Sequence, residues 1–497
     1  MKKFTITVIS LFMVLLISLS AVGEAMGTSS KYASNQDYIQ SENLALRDTS
    51  NKMTDGKDSS VYRFKTRNGG ESVIDLGESC DFNSVILKEK GLNVQKFSIS
   101  VSDDNEGFTQ IYANDKIEFH RLCTFDTVKA RYVKLTVEES DNLPKIREME
   151  IYNAVPEKKN DFRVSTYSTL GGSVFGIIDD TTLSNAEKDA KIKELIDADY
   201  YDTVTNYIDI GNVRWDEEGI IHTDGWDGIE RDEDKYYAVM MRNLHEVLDE
   251  KDVNLVITIL NPSGENGNQR VMKSITENRD TLITNMIAFA NKYEFDGIDL
   301  DWEFPMSQDE FDAYNSFLQE LKARMKTEMW NKEESTLSLA LATWALKYTP
   351  ETIECIDYVN VMGYDILDQD GQHSSFFSSC VQAADYIESQ GFSKEQINIG
   401  FPFYGTWEGG RMEQYAYNAI SEEISPFNNF YTMKKSDTKE DRYTYFNSQA
   451  IIRDKTAYAY LKGYGGVMIF SQYCDLPSDD ERSLTKAISD YLQEVTK

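Results

Sequence analysis

The sequence predicts an α/β protein, a (β/α)8 TIM barrel preceded by an antiparallel β-sandwich domain. Three observations lead there. Beyond Phe162, strand-like apolar runs alternate with helical runs of ten or more residues, the pattern of a parallel sheet with crossover helices. Between Glu42 and Ala154 the apolar runs are short, are separated by turn signals and carry no sustained helical period. A polar stretch, Pro156-Glu157-Lys158-Lys159-Asn160-Asp161, parts the two regions and reads as a linker.

Taken in order, the N-terminus has the form of a processing segment. Lys2 and Lys3 precede an apolar run from Ile6 to Val22, and Gly23, Ala25 and Gly27 follow as small residues suited to cleavage. Residues 1–27 are therefore expected to be a signal peptide, and the mature chain to be secreted and extracellular, with no membrane partner after cleavage. The sandwich, residues 41–155, takes its strands from Ser72–Leu76, Ser84–Leu87, Lys96–Val101, Ala130–Val137 and Glu148–Tyr152. Barrel strands, within residues 162–497, are expected at Arg163–Ser168, Thr203–Ile208, Asn254–Ile259, Gly297–Phe304, Thr336–Thr343, Tyr358–Tyr364, Ile397–Tyr404 and Gly466–Phe470. Helical patterns over Asn185–Ala198, Thr281–Tyr293, Glu310–Met329 and Ser448–Lys462 fall between them. Eight such repeats favour closure into a barrel over a doubly wound open sheet.

Composition narrows the function. With 41% hydrophobic residues the chain can bury a sizeable core, and its net charge of −33 argues against nucleic acid or an anionic membrane as main partner. The five cysteines (Cys80, Cys123, Cys355, Cys380, Cys474) can form disulfides in an extracellular setting, Cys80 and Cys123 both falling in the first domain, and an odd count leaves a thiol free. None has metal-ligand spacing, and four histidines leave little room for a zinc site.

The chemistry concentrates in Asp296-Gly297-Ile298-Asp299-Leu300-Asp301-Trp302-Glu303. Alternate side chains of a strand share a face, so Asp299, Asp301 and Glu303 point one way and Ile298, Leu300 and Trp302 the other. In a barrel the apolar set packs under the helices and the carboxylates line up inside. Asp296 has the other parity and reads as a turn or packing residue. Carboxylates held that close cannot all ionise, so at least one pKa must rise and a protonated acid can persist near neutral pH. Glu303, at the C-terminal end of its strand, would lie at the barrel mouth, where such folds do their chemistry.

Residues 162–497 resemble glycoside hydrolase family 18, the chitinase-type barrels, whose fourth strand carries D-G-x-D-x-D-W-E; the match at 296–303 is complete. Tyr358–Asp365 resembles the family's sixth-strand Met-x-Tyr-Asp pattern, Gly400–Gly405 its Pro-Phe-Tyr-Gly segment, and Gly465-Gly466-Val467-Met468 the start of its eighth strand. The resemblance implies Glu303 as general acid and later base, with the substrate's own 2-acetamido oxygen as nucleophile. It implies that Asp301 holds the acetamido N–H, that Asp299 shares charge behind it, and that Tyr364 donates to the acetamido oxygen. Met362, Asp365, Tyr404 and Phe470 would line the same subsite, and Trp344 the cleft beyond. No cofactor is implied for catalysis. Phe470 stands where the family usually has Trp, Thr258–Gly264 lacks the usual Ser-x-Gly-Gly, and Thr406 replaces a common Arg.

Trp215, Trp226, Trp344 and Trp407 read equally as sugar-stacking rings or as packed loop anchors. The stretch between Tyr404 and Gly465 is short for a full α+β insertion, so an open, shallow cleft is expected. Residues 41–155 resemble the discoidin, or factor 5/8 C-type, fold through Glu42–Leu46, Thr54-Asp55-Gly56, Val73–Gly77, Lys129–Leu135 and Ile146–Tyr152. That likeness implies a possible structural Ca2+ with oxygens from Asp55, Ser60 and Glu148, Asp58 standing near, and a carbohydrate-binding role. The leading expectation is a chitinase acting on β-1,4-linked N-acetylglucosamine polymer. An endo-β-N-acetylglucosaminidase acting on N-glycans or peptidoglycan is the alternative, and a non-catalytic chitooligosaccharide-binding lectin the second. A monomer is expected, although no residue pattern speaks to oligomeric state.

Overall fold

Short apolar runs and long bent strands build the first of two cores. The computed structural model describes residues 38–57, 59–197, 202–224, 229, 231–367, 373–407, 410–419, 425–427, 429–434, 441–477 and 480–496. The expected signal peptide, Asp58, Trp226 and the side chain of Trp407 lie outside the described residues.

Strands β1 (Tyr62–Arg63), β2 (Gly70–Glu89), β3 (Val94–Ser102), β4 (Thr109–Asn114), β5 (Arg121–Ser140) and β6 (Lys145–Tyr152) form an antiparallel sheet in the order β1-β6-β2-β5-β3-β4. β2 and β5 are 20 residues each, far longer than the runs expected there. Their ladder breaks register between Asp75 and Cys80 and again between Phe82 and Ser84. Such shifts bend a strand and let one sheet fold over itself. Ile74 and Leu76 from one half of β2 thus share a core with Val85 and Leu87 from the other. All five cysteines are free, so no disulfide staples this domain.

The second core belongs to a closed barrel. Its strands are β7 (Arg163–Ser168), β8 (Asn206–Trp215, extended by the short hairpin partner β9, Ile221–His222), β10 (Asn254–Leu260), β11 (Gly297–Leu300), β12 (Thr336–Leu341) and β13 (Tyr358–Val361). A two-residue hairpin follows, β14 (Ile366–Leu367) and β15 (His373–Ser374), then β16 (Ile397–Pro402). Next comes an antiparallel sheet of β17 (Tyr404–Trp407), β18 (Gly410–Ala416), β19 (Phe430–Lys434) and β20 (Asp441–Tyr445), and finally β21 (Gly466–Phe470). Eight parallel pairings close the ring, β8 meeting β10 and β21 meeting β7. The insertion after β16 is thus a four-stranded sheet, and Tyr417–Ala419 is its helical turn among the described residues.

Helices α1 (Gly171–Asp179), α2 (Asn185–Asp197), α3 (Tyr237–Lys251), α4 (Gly267–Thr276), α5 (Arg279–Lys292), α6 (Gln308–Glu328), α7 (Pro350–Cys355), α8 (Phe377–Ser389), α9 (Gln449–Lys462) and α10 (Leu484–Thr496) surround the strands. α6 shows why these segments are helical. Ser307 caps it, Glu310 closes the capping box, and Phe311, Tyr314, Leu318, Leu321 and Met325 recur at helical spacing on the buried face.

The two domains are docked, not merely tethered. Asp454 of α9 is fully buried and accepts from Arg121 (3.1 Å), from the Thr124 hydroxyl (2.8 Å) and from the Thr124 backbone N–H (2.7 Å), and Tyr112 donates to it as well. Glu118 of the sandwich accepts from the N–H groups of Phe377 and Ser378 at the start of α8. The polar stretch 156–161 is a fixed connection too, since Tyr460 accepts from the Lys159 N–H at 2.7 Å.

Candidate active site

The acidic strand is shorter than its sequence pattern. β11 pairs with β12 only from Gly297 to Leu300, and with β10 only to Asp299, so Asp301, Trp302 and Glu303 lie past the ladder. The expected alternation persists regardless: Ile298, Leu300 and Trp302 pack in the core between strands and helices, while Asp299 is buried inside the barrel. Asp296, of the other parity, accepts from the Leu255 N–H at 2.8 Å and closes the start of β10.

Asp299 is fully satisfied. Tyr167 of β7 (3.0 Å) and Thr258 of β10 (2.8 Å) donate to one oxygen, and Ser338 of β12 (2.6 Å) donates to the other. Burial raises its pKa and these donors pull it back. The chain of contacts continues downward, from Asn360 to the Tyr167 hydroxyl (3.1 Å), from Asn398 to Asn360 (3.1 Å) and from Arg163 to Asn398 (3.1 Å). The barrel interior is thus a polar column beside a small apolar cluster of Tyr167, Ile208, Ile210, Val256 and Met468.

Asp301 differs from its neighbour. Its Oδ1 is buried with no hydrogen-bond partner, and burial, then the charges of Glu303 and Asp299, hold its pKa well above the carboxylate range. Glu303 is reached by solvent at the mouth, yet the surrounding walls, with Asp365 adding its charge, raise its pKa to about 7. A carboxyl that titrates near neutral pH, and so keeps a large protonated fraction there, therefore sits at the open end of this line.

Aromatic rings wall the same space. Phe470 lies near-parallel to Tyr364 (6.1 Å, 20°) and edge-on to Tyr167 and Tyr404. Tyr404 donates to Asp365 at 2.8 Å, and the Tyr364 hydroxyl feels the charges of Asp365, Asp301 and Glu303, which with burial raise its pKa. Close approach here needs glycine at 400: a Cβ would stand 2.3 Å from the Val361 oxygen and 2.9 Å from the Tyr364 ring. Met362 is half-buried at the end of β13. Trp344 is 39% exposed and packs edge-on against Phe304, next in the chain to Glu303. Trp215, by contrast, is a packed anchor, 1% exposed with its indole donating to Ser274.

In the first domain, Asp55, Ser60 and Glu148 come together. Asp55 accepts from Ser60 (2.9 Å), and the Lys57 N–H is shared between Asp55 (3.1 Å) and Glu148 (2.7 Å). The second Glu148 oxygen is buried without a partner, and burial raises this carboxyl to about 7. An orphaned acidic oxygen beside a second carboxylate suits a hard cation. Among the described residues, however, no group of three or more carboxylate, imidazole or thiolate side chains is arranged so that it could hold a metal ion, there or elsewhere.

Sequence reasoning missed Tyr167, Thr258, Ser338 and Asn360 as partners of the acidic strand. Their signal was present as polar side chains at buried positions of the barrel strands, but nothing short of barrel closure says that these positions meet Asp299.

A closed parallel barrel with carboxylates lined toward its C-terminal mouth defines a (β/α)8 domain whose chemistry lies at the strand C-termini. Residues 248–475 match the family model described as glycosyl hydrolases family 18, and residues 30–149 match that of the F5/8 type C domain. The two matches together cover most of the sandwich and most of the barrel. Similar proteins include a class V chitinase of Arabidopsis thaliana (26% identical over 196 residues, 34% of this chain and 52% of that one). Chitinase A1 of Niallia circulans is 26% identical over 269 residues, 41% of this chain and 38% of the relative. A probable endochitinase of Caenorhabditis elegans is 27% identical over 159 residues, 27% and 25% of the two chains. The matches thus span about half of those relatives or less. Among solved structures, a chitinase from Bacteroides thetaiotaomicron shares the fold over 67% of this chain and 97% of its own, with 19% identity and a TM-score of 0.50.

Proposed function

We propose that this chain is a secreted chitinase, hydrolysing β-1,4-linked N-acetylglucosamine polymer with retention of configuration. The observation that carries the reading is the line Asp299–Asp301–Glu303, whose outermost carboxyl is raised to about 7 and so is partly protonated near neutrality. Glu303 gives its proton to the glycosidic oxygen as that bond breaks. The acetamido oxygen of the same sugar bonds to the anomeric carbon, forming an oxazolinium ion that water, deprotonated by Glu303, then opens. The buried, unpartnered Asp301 Oδ1 suits an acetamido N–H donor, and the Tyr364 hydroxyl suits the acetamido oxygen. No cofactor enters the reaction.

Product analysis of the full chain beside Glu303→Gln, on chitooligosaccharides and on a high-mannose glycoprotein, tests this. Release of short chitooligosaccharides by the wild type alone supports it. Cleavage of the glycoprotein alone moves the substrate to N-glycans, a reading that Phe470 in the Trp position favours. Binding without cleavage of either substrate would make the chain a lectin.

In the first domain, Asp55, Ser60 and Glu148 are the groups we assign to a structural Ca2+. Added Ca2+ should raise the midpoint of thermal unfolding and a chelator reverse it; no shift with millimolar Ca2+ would remove the ion from the account.

A further inference from the structure

The strand that carries Glu303 stops pairing at Leu300, so backbone ladder bonds do not position the acid. Its flanks are held by one side chain from another element. Asn268, in the first turn of α4, accepts the indole N–H of Trp302 at 3.1 Å and donates to the carbonyl of Phe304 at 3.0 Å. Its amide also donates to Glu310 at 3.1 Å, and Glu310 in turn accepts from the N–H groups of Met306 (2.7 Å) and Ser307 (2.8 Å). Residues before and after Glu303 are thus tied to the same amide, and the following loop is tied to α6 through it. The remaining contacts on these flanks are ring packing, Trp302 edge-on to Tyr314 and Phe304 edge-on to Trp344, which fixes rings more loosely than hydrogen bonds do.

We propose that Asn268 is a positioning residue for the acid, a clamp that fixes the Trp302–Glu303–Phe304 backbone where the strand no longer does. The claim deepens the chitinase reading and rests on it for its kinetic part. Releasing the clamp lets Glu303 swing further into water, so it should lose part of the desolvation that keeps it protonated.

The test uses the full chain as wild type, Asn268→Ala, Asn268→Asp (acceptor kept, amide donors lost) and Trp302→Phe (indole donor lost). Glu303 is titrated by carboxyl carbon NMR, its resonance assigned by comparison with Glu303→Gln, and kcat, KM and melting temperature are measured alongside. In Asn268→Ala the Glu303 midpoint should fall by about half a unit or more. On chitooligosaccharides kcat should fall about ten- to a hundredfold with KM within about twofold, the mark of a displaced reacting group. Combining Asn268→Ala with Trp302→Phe should cost less than the sum of the two, since they share a bond. A lower melting temperature with the Glu303 titration and kcat unchanged would overturn the proposal, because the residue would then be structural only. Should the wild type leave chitooligosaccharides intact while the midpoint still falls in Asn268→Ala, the clamp stands and the substrate reading fails. If neither activity nor a moved midpoint is found, both fall.

Discussion

Asp299, on β11, and Asp301, just past its end, are two residues apart, and the barrel treats them oppositely. Three hydroxyl donors surround Asp299, whereas Asp301 keeps a buried oxygen with none. An unmet acceptor of that kind costs about 1–3 kcal/mol, a cost that a bound donor would remove. Glu303, at the end of the line, is the residue whose protonation the reaction needs. Replacing it by Gln should lower kcat by about 10²–10⁴-fold while leaving thermal stability close to wild type, since the side chain is solvent-reached. Because the acid must be protonated, kcat should decline as pH rises through about 7, where this carboxyl titrates. A pH–rate profile flat from 6 to 9 would exclude Glu303 as the acid.

The elements hold the site in ways that can be weighed one at a time. α6 begins at Ser307, four residues past Glu303, with a complete capping box. Ser307→Ala should cost about 1 kcal/mol of stability, read as a lower denaturation midpoint at unchanged slope. If the midpoint does not move, the cap contributes nothing that water cannot replace. The sheet β17–β20 follows β16 directly, and its first residue, Tyr404, brings its ring onto Asp365 and Phe470. Its extent was not foreseen from sequence, since its strands are only four to seven residues long.

At the scale of the whole molecule, the two domains share a buried ion pair. Arg121 and Asp454 are both fully buried, so breaking the pair leaves a charge without compensation. Asp454→Ala should destabilise the chain by about 3–5 kcal/mol and separate its unfolding into two transitions in calorimetry. One undiminished transition would mean that the interface does not couple the domains. Three carboxyls outside the catalytic line, Glu89, Asp209 and Glu148, are raised to about 7, burial being the largest cause in each. Between the ordinary carboxylate range and pH 7 the folded chain therefore holds more protons than the unfolded one, so these groups make stability fall as pH rises through that window and level off above it. Denaturation midpoints in chelator should be higher at pH 5 than at pH 8, and Glu89→Gln should flatten the difference.

Much of this was written into local pattern. Period-2 alternation in 297–303 sorted the carboxylates from the core residues, and eight alternations of strand and helix announced the barrel, because both follow from which side chains avoid water. The helix α6 was legible from Glu310 onward, two residues inside its start, for the same local reason. Where β11 stops was not, since a strand ends when its neighbours diverge and not when its own pattern does. The meeting of Tyr167, Thr258, Ser338 and Asn360 around Asp299, of Asn268 with both sides of Glu303, and of Arg121 with Asp454 joins residues up to 333 apart in sequence. The sequence by itself determined the element types, the acidic line and its family likeness; tertiary structure alone decided which carboxylate is satisfied, which is left open and what holds the acid in place. Hydrogen bonds between distant elements exist only once the barrel has closed, and no local periodicity encodes them.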